Sequence, residues 1–333
     1  MRPSHLCWPA AGSCALPQPN FTVANPSAPA DSKPRWATQT ERGNMLALKV
    51  IAWIALHLGR RISRWILVPI VAYFYVSSPQ ARRASRSFLA RIPGQSYGSA
   101  AVFKHLYTFA SVTLDRIYFL NNHLDLFDVQ IQDPDNQALG AAKRGAGLLL
   151  MGAHMGSFDS VRSIAHHYPS LDMALLMYED NARNIKQLLH AINPQAQQAI
   201  ISLGQPNAML QVRDHLADGG LIGVLADRAL DASGNANLNL LGDPVSLPEG
   251  PFRLAAMLRH PVFFMVGIFE GGNRYTIHLE PIMDFSTVLA ADRAPAAQQA
   301  MAKYVQLIEK YCLLAPTNWF NFFDFWQPPG IPK

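Results

Sequence analysis

The stretch GAGLLLMGAHMGSFDSVRSIA, residues 145–165, contains an apolar run that stops abruptly at a single histidine. The order of residues in this stretch decides the fold. The run is short and contains no polar residue, which is typical of a strand buried on both faces of a parallel sheet. Gly152 and Gly156 predict a turn after this strand, and the residues that follow predict a helix. His154 therefore lies in the turn, and Asp159 lies in the first turn of the predicted helix.

Short apolar runs and helical segments continue to alternate along the chain after this stretch. The alternation predicts an α/β fold with a mainly parallel central sheet flanked by helices. The predicted strands are 147–153, 172–178, 199–203, 221–226, 261–270 and 274–282, and the predicted helices are 97–120, 158–167, 182–192, 206–219, 248–260 and 295–314. Open α/β sheets bind ligands beyond the carboxyl ends of their strands, so the turn at His154 is a candidate site.

The composition indicates that part of the protein surface contacts something other than water. Half of the 333 residues are apolar and 15% are charged, whereas about 25% is usual in soluble domains. The formal net charge of +5 suits an anionic partner. No metal-ligand or disulfide spacing joins the cysteines, so we expect a reducing compartment and no metal site. Residues 1–40 are rich in Pro, Ala and Ser and are predicted to form a disordered tail.

Residues 41–96 predict a membrane-associated part of the chain, made of apolar and basic helices. The apolar segments 45–58 and 65–76 are each shorter than the about 20 residues that a spanning helix needs. We expect interfacial attachment or a shallow hairpin; two helices buried in a soluble core are the alternative. The arginines between the segments would be costly at bilayer depth and are expected among the lipid headgroups: Arg60, Arg61 and Arg64.

A basic cluster follows the second apolar segment. Such clusters bind anionic lipid by about 1 kcal/mol per basic residue near the surface. They also favour the cytoplasmic side of a membrane, while a solvated helix face is the alternative interpretation. The cluster consists of Arg82, Arg83, Arg86 and Arg91.

The spacing of His154 and Asp159 is weak evidence by itself, because the same spacing occurs at His123 and at His167. Only His154 is delivered by a strand to a turn before a helix, where Ser157 can cap the helix. A carboxylate bound to one imidazole nitrogen fixes the tautomer and supports the other nitrogen as a general base. The alternative is a capped helix with an incidental buried histidine.

The sequence shows no protein nucleophile next to this histidine. Ser157 and Ser160 are close, but neither lies in a G-x-S-x-G elbow. The base would then activate a hydroxyl carried by the substrate. This interpretation favours direct acyl transfer over a serine hydrolase.

Three blocks of sequence carry a resemblance to a known family: LLLMGAHMGSFD, GVLADRAL and LLGDPVSLPEGPFRLAAMLRHPV. In this order, and after an apolar segment with a GRR break, they resemble the lauroyl/myristoyl acyltransferases of late lipid A synthesis. These enzymes belong to the glycerolipid acyltransferase superfamily. The resemblance extends over about residues 36–326, and the ending NWFNFFDFW resembles a subgroup associated with aryl polyene or related glycolipid clusters.

The resemblance implies transfer of a fatty acyl group from acyl carrier protein to a lipid or glycolipid hydroxyl, without a cofactor. It implies a location at the cytoplasmic face of the bacterial inner membrane, with the α/β acyltransferase domain at 97–333. By the resemblance His154 is the base and Asp159 its partner, although the lipid A enzymes more often have glutamate at the second position. The residues that resemble substrate-binding positions are Asp227 and Arg228 for the acceptor or carrier, and Glu249, Gly250 and Arg253 for phosphate.

Other functions stay open at this point. An acyl-thioester hydrolase would use water in place of the lipid hydroxyl, and a non-catalytic lipid or carrier-protein binding module would keep the fold without turnover. A nucleic-acid partner is disfavoured because the basic residues lie beside apolar segments and no recognition motif accompanies them. Lipid A, an ornithine-type lipid and a polyene glycolipid remain alternative acceptors.

Overall fold

The computed structural model describes residues 45–94, 98–161, 164, 168, 171–178, 189, 192–193, 199–228 and 234–326. The tail predicted at 1–40 lies outside these residues, as do most of the helices predicted at 158–167 and 182–192. The predicted subgroup ending, at 318–326, lies within them.

The described elements follow the predicted alternation and add several that were not predicted. The additions are a strand before the first predicted one, a short helix after it, and a two-stranded ribbon between 235 and 248. The helices are α1 Met45–Ser77, α2 Pro79–Leu89, α3 Ser99–Leu120, α4 Gln137–Lys143, α5 Ala208–Ala217, α6 Gly250–Leu258 and α7 Arg293–Leu314. The strands are β1 Asp128–Gln132, β2 Leu148–Gly152, β3 Met173–Tyr178, β4 Ala199–Leu203, β5 Leu221–Leu225, β6 Asn235–Leu240, β7 Asp243–Pro248, β8 Pro261–Gly271 and β9 Arg274–Asp284.

Seven strands form one sheet in the order β1-β9-β8-β2-β5-β3-β4. All neighbouring pairs in it are parallel except the β8–β9 hairpin, so the predicted mainly parallel sheet is confirmed. Every residue of β2 is buried, as its uninterrupted apolar run predicts for a central strand covered on both faces. β6 and β7 pair separately as an antiparallel ribbon.

The turn after β2 is shaped by a close approach to β8. Gly156 has φ +58°, and a Cβ atom there would lie 2.0 Å from the carbonyl oxygen of Gly267. Only glycine has the conformational freedom and the small size for this contact. The amide of Ser157 donates to the same carbonyl over 2.7 Å, so the turn is fixed against the sheet.

Helix α1 spans both apolar segments and bends at Gly59, where φ is +78° and ψ is 166°. Within the part of the chain that the structure describes, no helix is long and apolar enough to cross a membrane. The expectation that the intervening arginines lie among headgroups is wrong for two of the three. Arg60 and Arg64 form ion pairs with Asp115 of α3, a carboxylate without solvent exposure. A buried charge is stable only when it has partners of opposite charge. Arg61 is exposed.

The basic cluster on and just after α2 is also divided between paired and exposed arginines. Arg82 donates to the carbonyls of Tyr75 and Val76, and Arg91 binds Asp243 over 2.7 Å. Its exposed members are Arg83 and Arg86. Half of the cluster therefore holds the fold together, and the other half is free to meet a partner.

Candidate active site

Two neighbouring strands bring His154 and Asp227 together. Gly152 of β2 lies opposite Leu225 of β5 in the parallel register. Two further residues along each chain lead to His154 and Asp227, so the same register places these two side by side. The amide of Ala226 still donates to the carbonyl of Gly152, which shows that the pairing continues beyond the strand ends.

The imidazole of His154 and the carboxylate of Asp227 form a direct hydrogen bond. Nδ1 of His154 lies 2.7 Å from Oδ1 of Asp227, and the backbone amide of His154 donates to Oδ2 over 3.0 Å. The Asp227 side chain has no solvent exposure, whereas that of His154 is 31% exposed. Among the hydrogen bonds of the described residues none involves Nε2 of His154, so this nitrogen has no partner within the described part of the chain.

The surroundings of His154 and Asp227 shift the pKa values of both side chains. Burial by itself raises the pKa of Asp227, but the imidazole and Arg228 outweigh burial and hold this pKa well below its usual range. Asp227 is therefore a carboxylate, and it requires the proton on Nδ1 of His154. Burial lowers the pKa of His154 below 6.5 and Arg228 acts in the same direction, although Asp227 opposes both. The lowered pKa favours the neutral imidazole, which carries its lone pair on Nε2.

Asp159 has a different partner from the one that the sequence predicted. Its Oδ2 lies 3.0 Å from Nε of Arg116, one residue after Asp115 on α3. No hydrogen bond or ion pair among the described residues joins Asp159 to His154. The carboxylate on the imidazole is Asp227, because the sheet register fixes Asp227 opposite His154 while Asp159 follows a turn held against β8.

The hydroxyl groups of the two serines in the turn form hydrogen bonds with groups of the other serine. Ser157 Oγ accepts from the amide of Ser160 over 3.2 Å, which is the predicted cap, and Ser160 Oγ donates to the carbonyl of Ser157 over 2.7 Å. Both side chains are buried. Neither is placed to act as a nucleophile.

Arg228 and the chain ending complete the site. Nε of Arg228 donates to Oδ1 of Asn321 over 2.8 Å, and Nδ2 of Asn321 donates to Oδ2 of Asp227 over 3.2 Å. The guanidinium of Arg228 also lies over the ring of Phe323 at 5.3 Å. The structure thus brings together three of the predicted residues, His154, Asp227 and Arg228.

The predicted phosphate-binding residues lie at the start of α6. Arg253 binds Glu249 over 2.5 Å and is otherwise exposed, and Gly250 has open space around it. No hydrogen bond or ion pair of the described residues connects these three to His154. They are available to a ligand, but their charges are paired with each other in this structure.

Sequence reasoning missed that Asp227 is the partner of His154, and it missed Asn321 altogether. Part of the signal for Asp227 was present, since both residues follow apolar runs that predict strands of one mainly parallel sheet. Two residues that follow their strand ends by the same number of positions can be placed side by side only when the register of the two strands is known. Asn321 gave no signal, because it lies in an aromatic ending without periodicity.

The fold and this pair of side chains define an α/β protein with a histidine–carboxylate site at the carboxyl edge of its sheet. The sequence model of the bacterial lipid A biosynthesis acyltransferase family matches residues 116–327, more than half of the chain. The chain belongs to this family and is an acyltransferase of the lipid A type. No curated protein matches it significantly.

Proposed function

We propose that this acyltransferase moves a fatty acyl group from acyl carrier protein to a lipid or glycolipid hydroxyl, with His154 as general base and Asp227 as its carboxylate partner. The observation that carries the proposal is the 2.7 Å hydrogen bond from Nδ1 to a buried carboxylate. This bond leaves Nε2 as the only basic atom of the ring, on a side chain that is partly exposed.

The reaction needs a proton acceptor, a proton donor and no protein nucleophile. Nε2 of His154 takes the proton of the acceptor hydroxyl while its oxygen attacks the thioester carbonyl carbon. The carbon–sulfur bond then breaks, and the imidazolium returns the proton to the leaving thiolate. An ester and a free carrier thiol result, and His154 is neutral again. Asp227 stabilises the imidazolium between these two steps.

The occupied serines support direct transfer to the substrate. A covalent acyl-enzyme would need an accessible hydroxyl within reach of Nε2, but Ser157 and Ser160 are buried and bonded to each other. The nucleophile is therefore the hydroxyl of the lipid acceptor.

We propose further that α1 and α2 attach the protein to the cytoplasmic face of the inner membrane. Both halves of α1 expose large apolar side chains, among which Trp65 is 79% exposed. Such a helix lies in the interface plane with its apolar face among the acyl chains. The exposed Arg83 and Arg86 of α2 attract anionic lipid or the acidic carrier protein. The other apolar side chains exposed along α1 are Val50, Trp53, Leu56, Leu58, Ile62, Val68, Tyr73, Phe74 and Val76.

The activity is tested with purified protein in detergent, radiolabelled acyl carrier protein and a bacterial lipid extract. We expect labelled lipid to form, and His154→Ala to remove this activity. His123→Ala is the matched control, because His123 is exposed and Asp128 follows it at the same spacing as Asp159 follows His154. Equal rates for His154→Ala and the native protein contradict the proposal.

The same assay separates the alternative functions. Release of free fatty acid at the same rate with and without lipid extract identifies an acyl-thioester hydrolase. Binding of the acylated carrier without any product identifies a binding module. Mass spectrometry of lipids from cells that lack the gene then identifies the acceptor as the species that is short by one acyl chain.

Membrane attachment is tested by sedimentation with phosphatidylglycerol-containing vesicles. We expect Trp65→Ser to reduce the bound fraction, and Arg83→Glu with Arg86→Glu to reduce it further at low salt. Met257→Ser is the control, since Met257 is exposed on α6. Equal binding of all variants contradicts an attachment through α1 and α2.

A further inference from the structure

The chain ending returns to the turn that carries His154. The segment Asn318–Asn321, here named the C-terminal clamp, follows α7 and lies antiparallel to this turn, with Met155 bridged to Trp319. The amide of Gly156 donates to the carbonyl of Asn318, and the amide of Phe320 donates to the carbonyl of His154, both over 2.7 Å. The backbone of His154 is thus held by the clamp.

The clamp is itself fixed against the backbone of β8 and by a side chain of α3. The Asn318 side chain accepts from the amide of Phe269 over 2.9 Å and donates to its carbonyl over 3.1 Å. His105 binds the carbonyl of Trp319 over 2.8 Å. Trp319 and Asn321 are buried. A backbone with so many fixed contacts places its side chains with little freedom.

The geometry points to Asn321 as a positioning residue that holds Asp227 in the orientation in which this carboxylate receives His154. One side-chain atom of Asn321 donates to Asp227 and the other accepts from Arg228. Only a side-chain amide supplies a donor and an acceptor on one planar group of this length. Asn321 therefore lies between Asp227 and the neighbouring cation, and it fills a carboxylate lone pair that would otherwise be unsatisfied.

Few other ionisable groups of the described residues face Asp227. Arg228 follows it in sequence, and Tyr304 and Cys312 approach it from α7. Burial raises the pKa of the Tyr304 hydroxyl and of the Cys312 thiol well above their ordinary values, so both are neutral. A new charge at position 321 would therefore act mainly on Asp227, His154 and Arg228.

This inference rests on the proposed function, because it treats His154 as the base. Its test is the titration of the His154 imidazole by NMR in histidine-labelled protein, with the His154 signals assigned from a His154→Gln sample. In Asn321→Asp the new carboxylate still accepts from Arg228 but adds negative charge beside Asp227. We expect the pKa of His154 to rise by about 1 unit or more relative to the native protein. Asn237→Asp, which adds the same charge at an exposed position of β6, should leave it unchanged.

Kinetics give a second readout. We expect Asn321→Ala to lower kcat by about tenfold to a hundredfold with little change in KM, because the residue acts on the base and not on substrate binding. The acid limb of the rate profile of Asn321→Asp should move to higher pH together with the NMR titration. Thermal unfolding of each variant shows whether it is folded at the assay temperature.

An unchanged His154 titration in folded Asn321→Asp overturns the inference. This titration needs no substrate, so it tests the contact of Asn321 with the Asp227–His154 pair even if no acyl transfer is found. Full transfer activity in His154→Ala, in contrast, overturns the proposed function and leaves the titration result standing.

Discussion

Two buried carboxylates, Asp115 on α3 and Asp227 after β5, have the same burial and opposite surroundings. Asp115 accepts from Arg60 over 2.7 and 2.8 Å, from Arg64 over 2.8 Å and from the hydroxyl of Tyr275 over 2.8 Å. Asp227 accepts from an imidazole, an amide side chain and a backbone amide. Arginine does not release its proton in proteins, whereas imidazole exchanges one near pH 7.

The partner therefore decides what each carboxylate does. Asp115 and its two arginines form a permanent charged cluster that fixes α1 to α3 and to the sheet. Each guanidinium in it also lies over an aromatic ring, Arg60 over Phe127 and Arg64 over Phe269. Asp227 instead supports a group whose charge changes during the proposed reaction. The first is expected to govern stability and the second to govern rate.

The largest expected effect tests Asp227 as the partner of the base. Asp227→Asn turns an amide NH₂ group toward Nδ1, because the oxygen still accepts from the amide of His154. The ring proton then moves to Nε2, which no longer accepts one. We expect acyl transfer to fall by about 10⁴-fold, as for a carboxylate-to-amide change in a catalytic triad, with the protein still folded.

The measurement is single-turnover transfer of labelled acyl chains, with circular dichroism of the same sample. Asp172→Asn is the matched control, because Asp172 lies 3.8 Å from Nδ1 of His215 on a side chain that is 79% exposed. A loss of less than about tenfold in Asp227→Asn would remove the functional difference between the two buried carboxylates.

The next effect tests Asp115 as a structural group. Asp115→Asn leaves two mostly buried arginines without a counter-charge, and breaking such a cluster costs about 3–5 kcal/mol. We expect the free energy of unfolding, measured by urea titration, to fall by this amount, while the folded fraction keeps its transfer rate. Asp125→Asn on the adjacent exposed turn should change neither quantity. A rate loss as large as that of Asp227→Asn would contradict a purely structural role.

A smaller effect concerns His105, an imidazole with no carboxylate. It lies between the hydroxyl of Ser85 and the carbonyl of Trp319, both at 2.8 Å, without solvent exposure. Burial lowers the pKa of His105 to about 4, although the bond to Trp319 opposes this shift. Between pH 6.5 and 4 the unfolded chain binds a proton that the folded protein does not, so stability is present above 6.5 and is lost as pH falls.

From pH 7 to pH 5 this single group should remove about 2 kcal/mol of the free energy of unfolding. Urea titrations at both values should show a smaller loss for His105→Gln, whose amide also offers a donor and an acceptor. His123→Gln should leave the loss unchanged, because His123 is exposed. Equal losses in His105→Gln and the native protein would contradict the assignment.

The smallest expected effect concerns Asp159, which is a third carboxylate to compare with Asp115 and Asp227. Its partner Arg116 is permanently charged, and both side chains are partly exposed, 18% and 26%. A pair of this kind contributes about 1 kcal/mol or less. We expect Asp159→Asn to slow transfer by less than about tenfold, with Asp128→Asn as the exposed control. A loss equal to that of Asp227→Asn would instead favour Asp159 as a second essential carboxylate.

Much of the fold was predictable because hydrophobic periodicity reports local structure. The strand at 147–153, its turn and the strand at 221–226 all occur where they were predicted, within the usual uncertainty at the ends. Strand β1 was missed because it is a short edge strand with alternating burial. The β6–β7 ribbon was missed because β6 contains three asparagines, which are rare in strands.

For this protein the sequence by itself determined that a histidine follows a buried strand, and that α1 alternates apolar stretches with arginines. Those facts depend on neighbours within a few residues. Only the tertiary structure decided which carboxylate reaches the imidazole, which arginines turn inward, and that the chain ending closes over the site. These contacts join residues up to 214 positions apart, and sheet register and helix packing set them. Asp115, Asp159 and Asp227 are the same residue type in the sequence. Only the partners that each carboxylate contacts in the folded protein distinguish them.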